Sequence, residues 1–239
     1  MLRTNTKKKW NSMDKRTNLS DSIMIAVEKL IISSLKPGDK VPTEKELAEH
    51  FSVGRSTIRE SMKALTVKGL VVRRNEGTFV SNSLSECLID PLNLLINMEF
   101  GNVEDLINLR ELLELGAIKV AARKATPETI LALERINWQM QEPGVPSLAL
   151  QEKDIEFHNT IAQATGNAVL AQIINAIRQV IAKNLEDPEL SRINNQRSSK
   201  VHEELIAAMR DHDAERAYKV MEKYFTMTRV KDGAGKLMA

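Results

Sequence analysis

Apolar residues recur every three or four positions along most of this chain, the period of an amphipathic helix, and only one short stretch departs from it. From Asp21 the run IMIAVEKLII keeps the helical period. It ends before Lys36-Pro37-Gly38-Asp39, a turn sequence in which proline cannot continue a helix. Thr43-Glu44-Lys45-Glu46 reads as a capping box: the threonine side chain caps and Glu46 reaches back, predicting a short helix through His50. Gly54 opens a longer helix, Arg55 to Lys68, closed by Gly69, with Ile58, Met62 and Leu65 toward a core. Residues 70–74 and 78–80 are β-branched runs joined by Asn75-Glu76-Gly77, which predicts a hairpin.

Beyond the hairpin, residues 82–102 read as a junction that includes a helix after Pro91. From Val103 onward no strand is expected. Helices are predicted near 103–125, 128–141, 147–164, 168–186, 189–210 and 213–229, separated by turn sequences such as Thr126-Pro127 and Thr165-Gly166-Asn167. The predicted fold class is mainly α, with two parts. Residues 19–81 form an N-terminal winged helix-turn-helix with a small β-hairpin wing, and residues 103–230 form a C-terminal all-α helical bundle. Residues 1–18 are expected as a basic disordered arm and 231–239 as a loose tail.

Charge changes this picture more than composition does. The chain carries 34 Lys+Arg and 32 Asp+Glu, nearly even. Residues 1–81 hold 16 basic and 9 acidic side chains, net +7, and the remainder 18 and 23, net −5. A basic front and an acidic back suit a DNA-binding module joined to a part that avoids DNA. The single cysteine, Cys87, excludes an intrachain disulfide and an all-cysteine metal site. No apolar segment follows the basic start, and the apolar stretch near 88–100 is broken by Asp90, Asn93, Asn97 and Glu99. A cytoplasmic protein without a membrane partner is expected.

A helix entering the major groove offers mainly its first turns to the bases. Here those turns read Gly54-Arg55-Ser56-Thr57-Ile58-Arg59. Arg55 and Arg59 share one face, and arginine can grip guanine O6 and N7 bidentately. Gly54 lets the helix N-terminus approach a phosphate, while Arg73, Arg74 and the hairpin tip suit the neighbouring groove or backbone. The stretch PGDKVPTEKELAEHFSVGRSTIRESMKALTVKGLVVRRNEGTFV resembles the DNA-binding domain of the GntR family of bacterial transcription regulators. The resemblance implies operator contacts from Lys45, Arg55, Ser56, Thr57, Arg59 and the wing near Gly77. Two departures stand out. Lys45 replaces the usual arginine, which keeps the charge without the planar fork and points to a phosphate contact. Asn75 replaces the first glycine of the wing tip.

In the helical part, Asp154 and His158 lie four apart and share a helix face, while His202 sits on another predicted helix. Periodicity leaves two readings open: a three-ligand divalent site with open positions, or three solvated or hydrogen-bonded side chains. DIEFHNTIAQATGN and VHEELIAAMRDHDAERAYKVMEKY are similar to the ligand-binding domain of the FadR-like branch of the family, the FCD type. That resemblance implies a metal held by Asp154, His158 and His202, with zinc, nickel and manganese all suitable. At the family's fourth ligand position stands Tyr224, whose phenol is a poorer ligand near neutral pH. A metal-free pocket in which Tyr224 hydrogen-bonds an organic effector is the alternative. Arg110 matches a position whose arginine faces the pocket and pairs with an effector carboxylate; the alternative is an intrahelical pair with Glu111 or Glu114.

These readings converge on a non-enzymatic regulator. A homodimer would bind a palindromic double-stranded DNA operator, acting as a repressor, with affinity controlled by a small carboxylate. Two rivals remain: a metal-dependent enzyme fused to a DNA-binding domain, and a dimeric DNA-binding protein without a ligand.

Overall fold

The computed structural model describes residues 6–82, 85–184, 188–228, 230–231 and 237–238. Residues 1–5 of the expected arm, 83–84 of the junction, and 232–236 and 239 of the tail lie outside the described residues. The chain divides into two compact units, Met1–Cys87 and Leu88–Ala239.

The first unit begins with helix α1, Thr6–Ser34, so the residues read as an arm are helical from Thr6 rather than irregular. Helix α2, Glu44–Phe51, starts at the expected capping box. The Thr43 side chain accepts from the Glu46 backbone N–H, and the Glu46 carboxylate accepts from the Thr43 N–H at 2.7 Å. Helix α3, Arg55–Val67, follows a tight turn, and Gly69 adopts φ +72 just after it. Strands β1, Val71–Arg74, and β2, Gly77–Val80, pair antiparallel with Arg74 opposite Gly77. A third segment joins this wing: Val41 N–H donates to Thr78 O, Val80 N–H donates to Asp39 O, and Lys40 bridges Phe79. Only a short core is needed to hold these pieces. Val27 and Ile31 of α1, Leu47 of α2, Ile58, Met62 and Leu65 of α3, and Val71 and Val80 of the hairpin fill it.

Helix α4 runs Ser85–Asn97, beginning just before the second unit, and carries Pro91 in its interior, where a helix starting after that proline was expected. Proline removes one backbone donor, but Ile89, Leu92 and Ile96 keep the apolar period across it. They pack on Leu106, Ile107, Ile177, Val180 and Ile181, and that burial outweighs the break. Helices α5 (Val103–Lys124), α6 (Pro127–Gln141), α7 (Ser147–Ala164), α8 (Ala168–Asn184), α9 (Pro188–Arg210) and α10 (Ala214–Thr228) follow. Asn102 and Asp105 form a capping box on α5, Thr126 caps α6 ahead of Pro127, and the Asn167 side chain accepts from Leu170 N–H at 3.1 Å to start α8. Val230–Lys231 (β3) and Leu237–Met238 (β4) pair antiparallel, so the part read as a loose tail contains a two-residue ladder. The main core of the bundle gathers Ile118, Leu133, Ile136, Phe157, Ile161, Leu205, Met209, Met221 and Phe225 from α5, α6, α7, α9 and α10. No helix among the described residues is long and apolar enough to cross a membrane.

Candidate nucleic-acid interface and candidate metal centre

Helix α3 begins at Gly54, which has no side chain to cap the helix, so its first backbone N–H groups are open to an anion. Arg55 and Ser56 are exposed and Thr57 half-buried, while Ile58 on the opposite side is fully buried. Arg59 is not a lone solvated charge. Its Nε donates to Glu44 Oε2 at 3.2 Å, and an Arg73 terminal nitrogen donates to Glu44 Oε1 at 2.7 Å. One carboxylate at the start of α2 thus ties an arginine of α3 to an arginine of the wing. Arg74 lies over the Phe79 ring at 5.1 Å, and Lys45 faces Glu49 one turn on at 3.9 Å. Arg55 makes no ion pair among the described residues. At the wing tip, Gly77 has φ +137, while Asn75 and Glu76 keep negative φ, so the glycine missing at 75 is not required for this turn. A Cβ at Gly77 would stand 2.8 Å from Lys40 Cε, the far end of a flexible side chain that can move aside, so it is the φ of +137 that disfavours a side chain there. Sequence reasoning missed both Glu44 and Lys40. Glu44 was read only as part of a cap, and Lys40 reaches the wing through a bridge that no local pattern announces.

In the bundle, the spacing of Asp154 and His158 on α7 and the position of His202 on α9 are resolved in favour of convergence. One possible ligand atom from each lies within 4.8 Å of the others, and all three residues are buried. Asp154 Oδ1 is 3.5 Å from His202 Nε2 and 4.0 Å from His158 Nε2. Buried polar atoms are ordinarily hydrogen-bonded. Here Asp154 Oδ1 and all four ring nitrogens of His158 and His202 lack a hydrogen-bond partner. Such a set of orphaned oxygen and nitrogen atoms fits a divalent cation, with Phe157 stacked on the His202 ring at 3.8 Å to hold its plane.

The other carboxylate oxygen is already engaged. Asp154 Oδ2 accepts from Arg178 at 3.0 Å and from the Tyr224 hydroxyl at 3.3 Å. Arg178, on α8, also grips Glu114 of α5 through two hydrogen bonds of 2.6 Å each, and all these groups are buried. His158 Nδ1 lies 3.0 Å from Glu114 Oε2. The carboxylate favours the protonated imidazole, against the larger opposing effects of burial and Arg178. Five helices therefore meet at one point: α5 with Glu114, α7 with Asp154 and His158, α8 with Arg178, α9 with His202 and α10 with Tyr224. Arg178 escaped the sequence reading because no motif marks it, and Glu114 was named only as an alternative partner of Arg110; the sequence places Arg178 and Glu114 64 residues apart.

Electrostatics follow from this burial. Burial opposes the ionisation of Asp154 and Glu114, yet their cationic neighbours, Arg178 among them, hold both carboxyls below the usual range. Burial pushes the His202 imidazole down to about 3, and burial with Arg178 pushes His158 down as well, so both rings stay neutral and can ligate. Burial, reinforced by Asp154, pushes the Tyr224 phenol up to about 12, so it keeps its proton and donates to Asp154. Arg110, also buried, lies over the Phe225 ring at 5.2 Å; its Nε has no partner, and no carboxylate forms an ion pair with it among the described residues.

A winged helix-turn-helix head followed by an all-helical bundle with a polar cluster inside defines a class: transcription regulators that join a DNA-binding head to a helical domain. Residues 19–80 match the bacterial regulatory proteins of the gntR family and residues 105–226 match the FCD domain, so the chain belongs to the GntR family of transcription regulators, with an FCD domain at its C-terminal side. It is similar to the HTH-type transcriptional regulator LutR of Bacillus subtilis, at 34% identity over 157 residues, covering 64% of this chain and 70% of that one. The HTH-type transcriptional repressor NanR of an Enterobacter species is 28% identical over 217 residues, 87% of this chain and 83% of that one. Among solved structures, Streptococcus agalactiae GntR superposes with a TM-score of 0.63 at 26% identity, over 87% of this chain and 98% of that one. The family and these relatives are transcription regulators, not enzymes, which removes the metal-dependent enzyme from consideration.

Proposed function

We propose that the chain is a cytoplasmic, homodimeric repressor whose affinity for a palindromic operator is controlled by a small carboxylate bound at a divalent metal in the FCD domain. The observation that carries the reading is the convergence of Asp154, His158 and His202, each with one buried ligand atom that makes no hydrogen bond. Zinc, nickel or manganese would take Asp154 Oδ1 and one nitrogen of each histidine, leaving positions for an effector oxygen. Tyr224 then serves as a donor that fixes Asp154 and not as a fourth ligand, and Arg110 offers its guanidinium to the effector. In the head, Lys45, Gly54, Arg55, Ser56, Thr57, Arg59, Arg73, Arg74 and Gly77 form the operator-reading set. An effector that favours one arrangement of the dimer lowers operator affinity by its differential binding; a tenfold loss takes only about 1.4 kcal/mol.

Elemental analysis of the purified protein before and after mild chelation tests the reading. The expected result is about one metal per chain, lost in His158→Ala. Equal metal content in variant and parent would overturn the site as drawn.

A further inference from the structure

Helices α6 and α9 pack along a seam that two polar bridges span. Gln141 Nε2 donates to Glu203 Oε1 at 2.7 Å, and Arg210 pairs with Glu134. Asn137 lies between the bridges on α6, three residues after Glu134 and four before Gln141, so the three share one helix face. A cavity of about 370 Å³ opens at this seam, lined by Asn137, Trp138 and Ile206 together with the two bridges. It is distinct from the Asp154 cluster: His202 is fully buried, while Glu203 beside it on α9 is exposed.

Asn137 is the anomaly in this cavity. It is only 4% exposed, yet its Oδ1 has no hydrogen-bond partner. A buried amide oxygen without a donor is costly, and an apolar side chain of similar shape would remove that cost. A ligand that brings an N–H to this oxygen removes it as well. The rest of the lining asks for the same kind of group. Glu134, Glu203 and Arg210 sum to a net charge of −1, and the bridge to Gln141 engages one oxygen of Glu203. Trp138 is 63% exposed, and an indole face attracts cations.

We propose that the groove between α6 and α9 is a second ligand site, one that takes a small organic cation with N–H donors, an alkylammonium or alkylguanidinium. The cation donates to Asn137 Oδ1 and to Glu203, and its alkyl stem lies on Trp138 and Ile206. Charge alone does not fill the site, because a quaternary ammonium brings no donor to Asn137.

The test follows Trp138 emission in full-length protein carrying Trp10→Phe, which leaves Trp138 as the one tryptophan. Agmatine and butylammonium are titrated at constant ionic strength, with tetramethylammonium and butanol as controls that lack the donor or the charge. At least one of the two amines is expected to saturate with a Kd below about 1 mM, and both controls to bind at least about tenfold more weakly. Asn137→Leu should weaken that amine by about tenfold or more while the melting temperature holds or rises, since an unsatisfied oxygen has been removed. Glu203→Gln should weaken it by about threefold or more with the fold unchanged. No saturation by either amine overturns the proposal, and so does equal binding of tetramethylammonium or parental affinity in Asn137→Leu. Should Asn137→Leu fail to fold, Glu203→Gln decides, and parental affinity there overturns the site.

Discussion

The same two side-chain types are arranged in opposite ways in the two units. In the head, one carboxylate, Glu44, holds two arginines, Arg59 and Arg73, with side-chain exposures of 28%, 57% and 55%. In the bundle, one arginine, Arg178, holds two carboxylates, Glu114 and Asp154, with exposures of 3%, 3% and 11%. The surface triad is net positive and solvated; the buried one is net negative and dry. Coulomb attraction is of the same form in both, but water screens the first and desolvation dominates the second. The surface triad therefore leaves a net positive charge in solvent, and the buried triad engages one Asp154 oxygen so that the other stays free. The difference in setting, not in residues, decides how much each arrangement contributes to the stability of the fold.

The largest effect should come from breaking the buried triad. Arg178→Met leaves Glu114 and Asp154 buried without their cation, and removal of one partner from a buried pair typically costs about 3–5 kcal/mol. Arg73→Met, which breaks the surface triad, is expected to cost less than about 1 kcal/mol. Urea unfolding of both variants measures the contrast. Equal losses would mean that burial does not separate the two triads.

Acid sharpens the contrast from another side. His202 titrates near 6.5 when unfolded and near 3 when folded, so the unfolded chain binds the extra proton between those values. Its contribution is complete above pH 6.5 and is lost as pH falls toward 3. Asp154 and Glu114, whose folded carboxyls are also held low, add losses that begin as pH falls into the ordinary carboxylate range, where the unfolded carboxyls take up protons. Metal-free protein should lose stability below pH 6.5 at up to about 1.4 kcal/mol per pH unit for each buried imidazole, and His202→Gln should flatten the slope between pH 6.5 and 4.5. A flat profile across that window in the parent would show that the histidines are not buried neutral.

How much of this was readable from the sequence follows the range of the interactions. The capping box at Thr43–Glu46, the core face of Ile58, Met62 and Leu65, and the helices of the bundle are written in local spacing and were legible within a few residues. The Asp154–His158 pair was legible because four residues of helix place both on one face. Its convergence with His202 was not legible in spacing, since that depends on how α7 and α9 pack; only the family resemblance implied it. The Arg178–Glu114 pairing was invisible for the same reason, and so was the Glu44 bridge, which joins residues 15 and 29 positions apart. Pro91 misled in the opposite direction: a strong local signal was overridden by the burial of Ile89, Leu92 and Ile96.

A smaller effect is expected at Arg55. It lies at the start of α3 with no ion pair among the described residues, so its guanidinium is available to a base edge. Arg55→Ala should weaken specific operator binding by about 1–3 kcal/mol and relax base preference, with folding stability little changed. An unaltered footprint would remove Arg55 from the reading set and with it the placement of α3 in the groove.

The smallest change in folding stability, and the most informative about the surface triad, belongs to Glu44→Gln. Loss of a half-exposed ion pair should move stability by about 0–1 kcal/mol. The binding consequence has a definite sign. Glu44 offsets part of the positive charge of Arg59 and Arg73, so its neutralisation should raise affinity for nonspecific DNA and steepen the dependence of log affinity on log salt. It also frees the two guanidinium groups from a shared anchor, and operator affinity should rise less than nonspecific affinity. The ratio between them therefore falls, which salt titrations on operator and random duplexes would measure. If the ratio and the salt slope both stay at the parent's values, Glu44 serves only the packing of α2. If nonspecific affinity falls instead, the carboxylate contacts DNA itself, for instance by accepting from a cytosine amino group.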